Sequence, residues 1–213
     1  MHQDLLEKHL KLVIEANKTT NITRISSWED GMLLHVKDSL LGLDALNACP
    51  EGRYADIGTG AGYPGIPLAI ETGRDTLLVD SVSKKVRILD TFIDELGLNN
   101  VSTYAGRIED LGKEQRGQFA TVSARALSRL SVLLELASPL LKRGGRLICF
   151  KANVDSDELE HADVVAKQVG MKLVDDQLFE LNEYQRRILS YEKIAESKIK
   201  LPRHVGFAQK KPL

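Results

Sequence analysis

The run Asp56-Ile57-Gly58-Thr59-Gly60-Ala61-Gly62-Tyr63-Pro64-Gly65-Ile66-Pro67 places an acid and three alternating glycines between a short apolar segment, Tyr54 to Ile57, and the first residues of a helix. A turn of that kind binds a nucleotide. Glycine accepts positive φ and lets a ligand touch the main chain, which a Cβ at Gly58 or Gly60 would obstruct. The acid ahead of the first glycine selects among nucleotides. A dinucleotide site offers amides and a helix N-terminus to a pyrophosphate, and Asp56 repels those phosphates. S-adenosylmethionine carries a sulfonium and an ammonium and no phosphate, so a carboxylate beside the glycines favours it.

Forward from the turn, Thr76 to Val79 form a second β-branched and apolar segment that ends in Asp80. An acid at the end of the second strand, roughly 20 residues past the glycines, is the expected ribose-binding carboxylate. Further strand-like segments follow near Val101 to Tyr104, Ala120 to Ser123 and Arg146 to Phe150, with helical periodicity between them. Val86, Leu89, Phe92, Ile93 and Leu96 share one helix face that Gly97 terminates. A helix is expected from about Ser128 to Leu141, closed by Gly144-Gly145, and another from Asp155 to Val169. Strand–helix alternation implies parallel strands joined by right-handed crossovers. The last two strands, Leu173 to Phe179 and Arg187 to Tyr191, have only a short link and are predicted to be antiparallel. The predicted fold is therefore α/β: a doubly wound, mostly parallel seven-stranded sheet of the class I Rossmann-like methyltransferase type, with an antiparallel terminal hairpin and N-terminal helices.

Backward from the turn, residues 1–50 read as a helical extension, with one amphipathic helix through Leu5, Leu6, Leu10, Val13 and Ile14 and a second through Trp28, Met32, Val36, Leu40 and Leu43. Residues 51–213 read as the core with a basic C-terminal tail, the two parts forming one compact unit. At 213 residues, with 43% hydrophobic and 28% charged residues, the chain has the composition of a globular domain with a real core. It has no apolar run of membrane-spanning length and no leader-like N-terminus, so a cytoplasmic protein without membrane association is expected. Cys49 and Cys149 are too few for a disulfide framework, and no Cys/His cluster has metal-ligand spacing, so reduced thiols and no metal are expected.

In sheets of this type ligands bind beyond the carboxyl ends of the strands. Cations recur there: Lys84, Arg107, Arg125 and Lys151. Such a ring suits a phosphate-bearing or guanine substrate, because arginine and lysine donate to phosphate oxygens and to the O6 and N7 edge of guanine. The net charge of −1 makes this a local argument only, strengthened by the cluster Lys193, Lys198, Lys200, Arg203, Lys210 and Lys211. An isolated charge run is otherwise a solvated tail. The segment after the fourth strand reads Ser123-Ala124-Arg125-Ala126, not the Asn/Asp-Pro-Pro-aromatic tetrad used on exocyclic amines. Neither cysteine is placed as a nucleophile, and His35, on a helix among apolar residues, reads as a packed or surface histidine rather than a general base.

With these residues assembled, the chain resembles the bacterial 16S rRNA guanine-N7 methyltransferase G family, also called glucose-inhibited division protein B. The likeness spans nearly the whole chain. It rests on Asn17-Lys18 with Asn21-Ile22-Thr23, on His35-x-x-Asp38-Ser39-Leu40, and on the cofactor loop with its Pro64-Gly65-Ile66-Pro67 extension. Asp80-Ser81 with Lys84-Lys85, Gly106-Arg107-Ile108-Glu109, Ala124-Arg125-Ala126, and Arg203 with Gly206 and Lys211-Pro212-Leu213 complete it. The chain departs from the family pattern at Ala120, Ala152 and Phe207-Ala208-Gln209.

The resemblance implies an S-adenosylmethionine site that includes Gly58, Tyr63, Ile108, Glu109 and Arg125; from the residues themselves Asp56, Gly60, Gly62 and Asp80 join it. Lys84, Arg107, Lys151 and Arg203 are implied to face RNA or position the guanine. The implied partner is 16S rRNA or the assembling small ribosomal subunit, with methylation at guanine N7. That atom has a free lone pair and no proton to lose, which fits a site without an obvious base. The competing readings are a small-molecule methyltransferase, which leaves the cation ring and basic tail unexplained, and a non-catalytic RNA-binding protein that retains the fold.

Overall fold

Apolar residues at helical spacing make α1 (Gln3–Asn17), which buries Leu6, His9, Leu10 and Val13. Ser27 caps the next helix by accepting a hydrogen bond from the Asp30 amide, and the chain runs on without a break through α2 (Trp28–Gly31), a π-helical turn at Met32–Lys37 and α3 (Asp38–Leu40). The sequence periodicity predicts a plain helix here. The π-turn, a feature enriched at functional sites, sits where His35 and Asp38 turn inward, both buried. A short α4 (Leu43–Asn47) leads into the sheet.

The computed structural model describes residues 2–213. The alternation then proceeds through β1 (Tyr54–Ile57), α5 (Gly65–Thr72), β2 (Thr76–Asp80), α6 (Ser83–Leu96), β3 (Val101–Ala105), α7 (Ile108–Glu114), β4 (Phe119–Arg125), α8 (Leu130–Ala137), β5 (Leu141–Lys151), α9 (Ser156–Val169), β6 (Met171–Leu181), β7 (Tyr184–Lys193) and α10 (Phe207–Lys210). One seven-stranded sheet has the order β3-β2-β1-β4-β5-β7-β6. Strands β1 to β5 pair in parallel, and β7 runs antiparallel to both β5 and β6. The strand order reverses between β1 and β4, and that switch opens a crevice at the carboxyl edge of the sheet.

Helices α1, α5 and α6 cover one face of the sheet through Leu10, Val13, Ile66, Leu78, Leu89 and Phe92. The other face meets α8 and α9 through Val122, Leu134, Leu147, Val165 and Leu189. Leu134 and Leu147 are wholly buried, and truncating such a residue to alanine costs about 2–5 kcal/mol.

Two expectations are corrected here. The helix expected from Ser128 to Leu141 spans only Leu130–Ala137, because Pro139 lacks an amide to continue the hydrogen-bond ladder. Gly144-Gly145 does not close that helix. It lies in a bulge of β5, where pairing steps from Phe119↔Leu141 to Thr121↔Arg146. Gly144 has φ +77, and a Cβ on Gly145 would stand 2.9 Å from the Ala120 carbonyl oxygen.

The basic C-terminal segment is docked along the chain's own helices. The Lys198 amide bonds the Gln168 carbonyl at 2.8 Å. Arg116 donates to the Leu201 carbonyl at 2.8 Å, and His161 Nε2 lies 2.7 Å from the Leu213 carbonyl. Leu201 and Ala208 are buried in the core cluster formed with α8.

Candidate active site

The glycine turn crosses the carboxyl end of β1 with positive φ at Gly58 (+71), Gly60 (+61) and Gly62 (+91). These glycines are not equivalent. A Cβ on Gly58 would stand 2.7 Å from Leu127 Cδ1, whereas one on Gly60 would meet nothing within 4 Å. Gly60 therefore presents bare backbone to the open crevice, and Gly58 is held against the protein. Asp80, at the end of β2, is only 8% exposed; its carboxylate accepts from the Gly60 amide at 3.2 Å and the Val82 amide at 2.8 Å. Loop and acid are thus pinned together.

Asp56 turns away from the crevice. One carboxylate oxygen accepts from the amide of Gly65, the first residue of α5, at 2.9 Å, and the other from Ser123 Oγ at 2.6 Å. Ser123 Oγ is in turn 2.6 Å from the Tyr54 hydroxyl. Burial pushes Asp56 from the ordinary 3.8 to about 6, even though the Ser123 and Gly65 bonds favour the charged form. Its negative charge at the start of α5 complements the helix dipole and braces the turn from beneath.

Beside the turn lies a cavity of about 410 Å³ at the carboxyl ends of β4 and β5, a size within the range of small-ligand pockets. Leu34, Phe150 and Ile188 supply apolar walls. Its polar groups form two clusters. Asp38 receives Arg125 Nη1 at 2.7 Å and Arg186 Nε at 2.5 Å. Arg125 also donates to the Leu34 carbonyl at 3.0 Å and lies 3.3 Å from His35 Nδ1. Lys151 donates to Glu158 at 2.8 Å and to the Ser128 carbonyl at 3.2 Å.

His35, which lines the cavity, stacks on Tyr63 of the glycine turn, with ring centroids 4.4 Å apart and planes 7° from parallel. Burial first, and then the Arg125 charge, push His35 down to about 4. His9, wholly buried against the other side of Tyr63, is held down at about 3 by desolvation. Cys149 is buried inside β5 with its thiol pushed up to about 12. Neither imidazole is charged near neutral pH.

The remaining residues named from sequence fall in three places. Lys84, on the first turn of α6, and Arg107, which precedes α7, are exposed at the carboxyl edge. Ile108 is half-buried against the core, and the Glu109 carboxylate accepts from the Gly206 amide at 2.6 Å. Arg203 is not at the cavity; it forks onto both oxygens of Glu135 at 2.7 and 2.6 Å. The sequence reading assigned no site role to Asp38 or Arg186. Asp38 stands in the quoted His35-x-x-Asp38 block, while Arg186 carries no local signal at all, since 148 residues separate it from its partner.

The residues around Gly60 fit S-adenosylmethionine. They set open glycine backbone beside a carboxylate suited to ribose hydroxyls, and the turn itself carries no phosphate-binding cation. Among solved structures, geranyl diphosphate methyltransferase in complex with SAM superposes with a TM-score of 0.58 at 11% identity over 75% of this chain and 85% of that one. The YcgJ protein from Bacillus subtilis gives 0.60 at 14% identity over 76% and 100%. Fold and loop together define a class I S-adenosylmethionine-dependent methyltransferase.

A family model described as rRNA small subunit methyltransferase G matches residues 2–188. Proteins named ribosomal RNA small subunit methyltransferase G from Streptococcus equi subsp. zooepidemicus and Streptococcus pyogenes are 38% and 37% identical to this chain. The first alignment covers 100% of this chain and 92% of the relative, the second 99% and 91%. The chain belongs to the rRNA small subunit methyltransferase G family.

Proposed function

We propose that the protein transfers a methyl group to ring N7 of a guanine in small-subunit 16S rRNA, acting in the cytoplasm on the rRNA or the assembling subunit. The observation that carries this reading is that the groups in the cavity able to act as bases are already engaged by guanidiniums. The cavity's two candidate bases are both disabled: His35 is held at about 4 and Asp38 is held by two guanidiniums. An exocyclic amine or a ribose hydroxyl must lose a proton in the reaction, whereas N7 attacks through a free lone pair.

S-adenosylmethionine supplies the electrophilic methyl. The chain's residues hold and orient. Asp80 and the Gly60 backbone would hold the nucleoside, and the stacked Tyr63 and His35 rings would border both sites. Arg186 has no bond to Nη2 among the described residues, so it keeps a donor for the O6 edge or a phosphate. The apolar walls exclude water around an extruded base. Methylation at N7 leaves the base cationic as the cofactor loses its sulfonium charge, so charge moves across the site without net charge being created.

The test is methyl transfer from labelled cofactor to small-subunit rRNA isolated from cells lacking the gene. Incorporation into that RNA, and none into RNA from the parent strain, supports the reading. Absence of incorporation into either naked rRNA or the subunit particle contradicts it.

A further inference from the structure

A second recess, of about 390 Å³, lies between α7 and the C-terminal strap and is lined by Lys113, Lys200, Pro202, Arg203, His204 and Phe207. The strap lies beyond residues 2–188, which the family model matches. It is a built surface. The buried Leu201 and Ala208 peg it to the core, the Arg203–Glu135 fork ties it to α8, and the Gly206–Glu109 bond ties it to the first turn of α7.

The chemistry of the recess is mixed. Lys200 is exposed and has no hydrogen bond or ion pair among the described residues, while Lys113 is shared with Asp110 at 2.7 Å. Phe207 is half-buried, with the His204 ring 5.4 Å away at 56° and Lys211 Nζ 5.5 Å from its centroid. From residue 194 to the end there are five cations, Lys198, Lys200, Arg203, Lys210 and Lys211, against the single acid Glu196. A lone phosphate has no use for a phenyl ring. Cations beside a partly open aromatic are the means by which proteins hold single-stranded nucleic acid, the charges following the backbone and the ring taking a base. The strap and recess run along α7, from the Gly206–Glu109 bond on its first turn, at the carboxyl edge, to Lys113 on its last.

We propose that this recess is a second RNA site, in which Lys200 and Lys113 hold phosphates and Phe207 stacks a base of the strand flanking the target. The inference rests on the RNA-methyltransferase reading and adds a contact outside the target-base cavity. It makes the strap a contributor to substrate affinity, not to the chemical step.

Lys200→Glu and Phe207→Leu in the full chain test it, with binding to unmethylated small-subunit rRNA followed from about 50 to 300 mM salt. Lys200 is solvent-exposed, so Lys200→Glu retains the fold even if the ring substitution does not. The expected result is a loss of affinity of about 5- to 20-fold for Lys200→Glu, with a log–log salt slope shallower by about one. For Phe207→Leu the expected loss is about 5-fold or more with little change of slope. KM for RNA should rise while kcat and cofactor affinity stay within about twofold of the parent, since a contact made equally in ground and transition states changes only binding. If the parent binds and methylates rRNA and both variants match it in affinity, slope and KM, the inference falls while the functional reading stands. Variants that match the parent on naked rRNA and lose affinity only for the subunit particle also overturn it, by placing a protein in the recess. A parent that binds no rRNA in any form overturns both.

Discussion

Asp38→Asn removes the charge that holds the base cavity together. The Asp38 side chain is 7% exposed, and its two partners, Arg125 and Arg186, are 13% and 17% exposed. Removing one member of a buried ion pair costs about 3–5 kcal/mol, chiefly from the uncompensated charge left behind. Here the loss is smaller, because Arg125 keeps the Leu34 carbonyl, Arg186 keeps the Gln185 carbonyl, and the asparagine oxygen still accepts one bond. About 2–3 kcal/mol is expected, and at about 2–4 °C per kcal/mol for a chain of this size, Tm should fall by roughly 4–12 °C. Urea unfolding and a thermal scan measure it. A double-mutant cycle with Arg186→Gln should show a coupling of about 1–2 kcal/mol, since the second change removes one of the stranded cations. Cofactor affinity should hold, because Asp38 does not touch the glycine turn, while turnover on rRNA drops. An unchanged Tm together with an additive cycle would refute the charge-network account of the cavity.

The single-turnover methyl-transfer rate should be flat from about pH 6 to 8.5, because His35, at about 4, stays neutral throughout that range; a steep acid limb that His35→Ala abolishes would reinstate a protein base. Stability has the opposite sensitivity to acid. His9 and His35 have folded values below the ordinary 6.5, so their contribution is present above about 6.5 and is lost as pH falls, by about 2 kcal/mol each at pH 5. Asp56, raised to about 6, works against them: its contribution is full below about 3.8 and is lost as pH rises through 6. Urea midpoints at pH 7.5 and 5 should therefore show a net acid destabilisation that His9→Asn reduces, and an unaltered difference in that variant would contradict the assignment. Asp80→Ala should weaken S-adenosylmethionine binding by roughly 10- to 100-fold by calorimetry while leaving rRNA affinity within about twofold; retained cofactor affinity would move the site elsewhere.

Strand–helix alternation, the short terminal link and the glycine turn made the sheet legible from sequence, because each is a local pattern. The Gly144-Gly145 bulge was not, since glycines after an apolar run read as a helix stop equally well, and it is Pro139 that ends α8. The π-turn at Met32–Lys37 was hidden because its apolar positions satisfy a helical period. At the site, the glycines and Asp80 stood out by spacing. The inward direction of Asp56 did not, because its partner Ser123 comes from β4 and is brought near only by the β1–β4 pairing. Arg186 was invisible for the same reason on a larger scale. Its role depends on the antiparallel return of β7, which carries it to the N-terminal helix. The basic tail was legible as charge alone; that it is a docked strap with Leu201 and Ala208 as pegs depends on packing.

If the cavity works without a protein base, the methyl group goes to a ring nitrogen. Locating the methyl group on product rRNA tests it most directly. Treatment with borohydride and aniline should cut the modified strand at a single guanine, and cells lacking the gene should yield RNA that resists cleavage there. A methyl group found on an exocyclic amine, a pyrimidine carbon or a ribose hydroxyl would contradict the account.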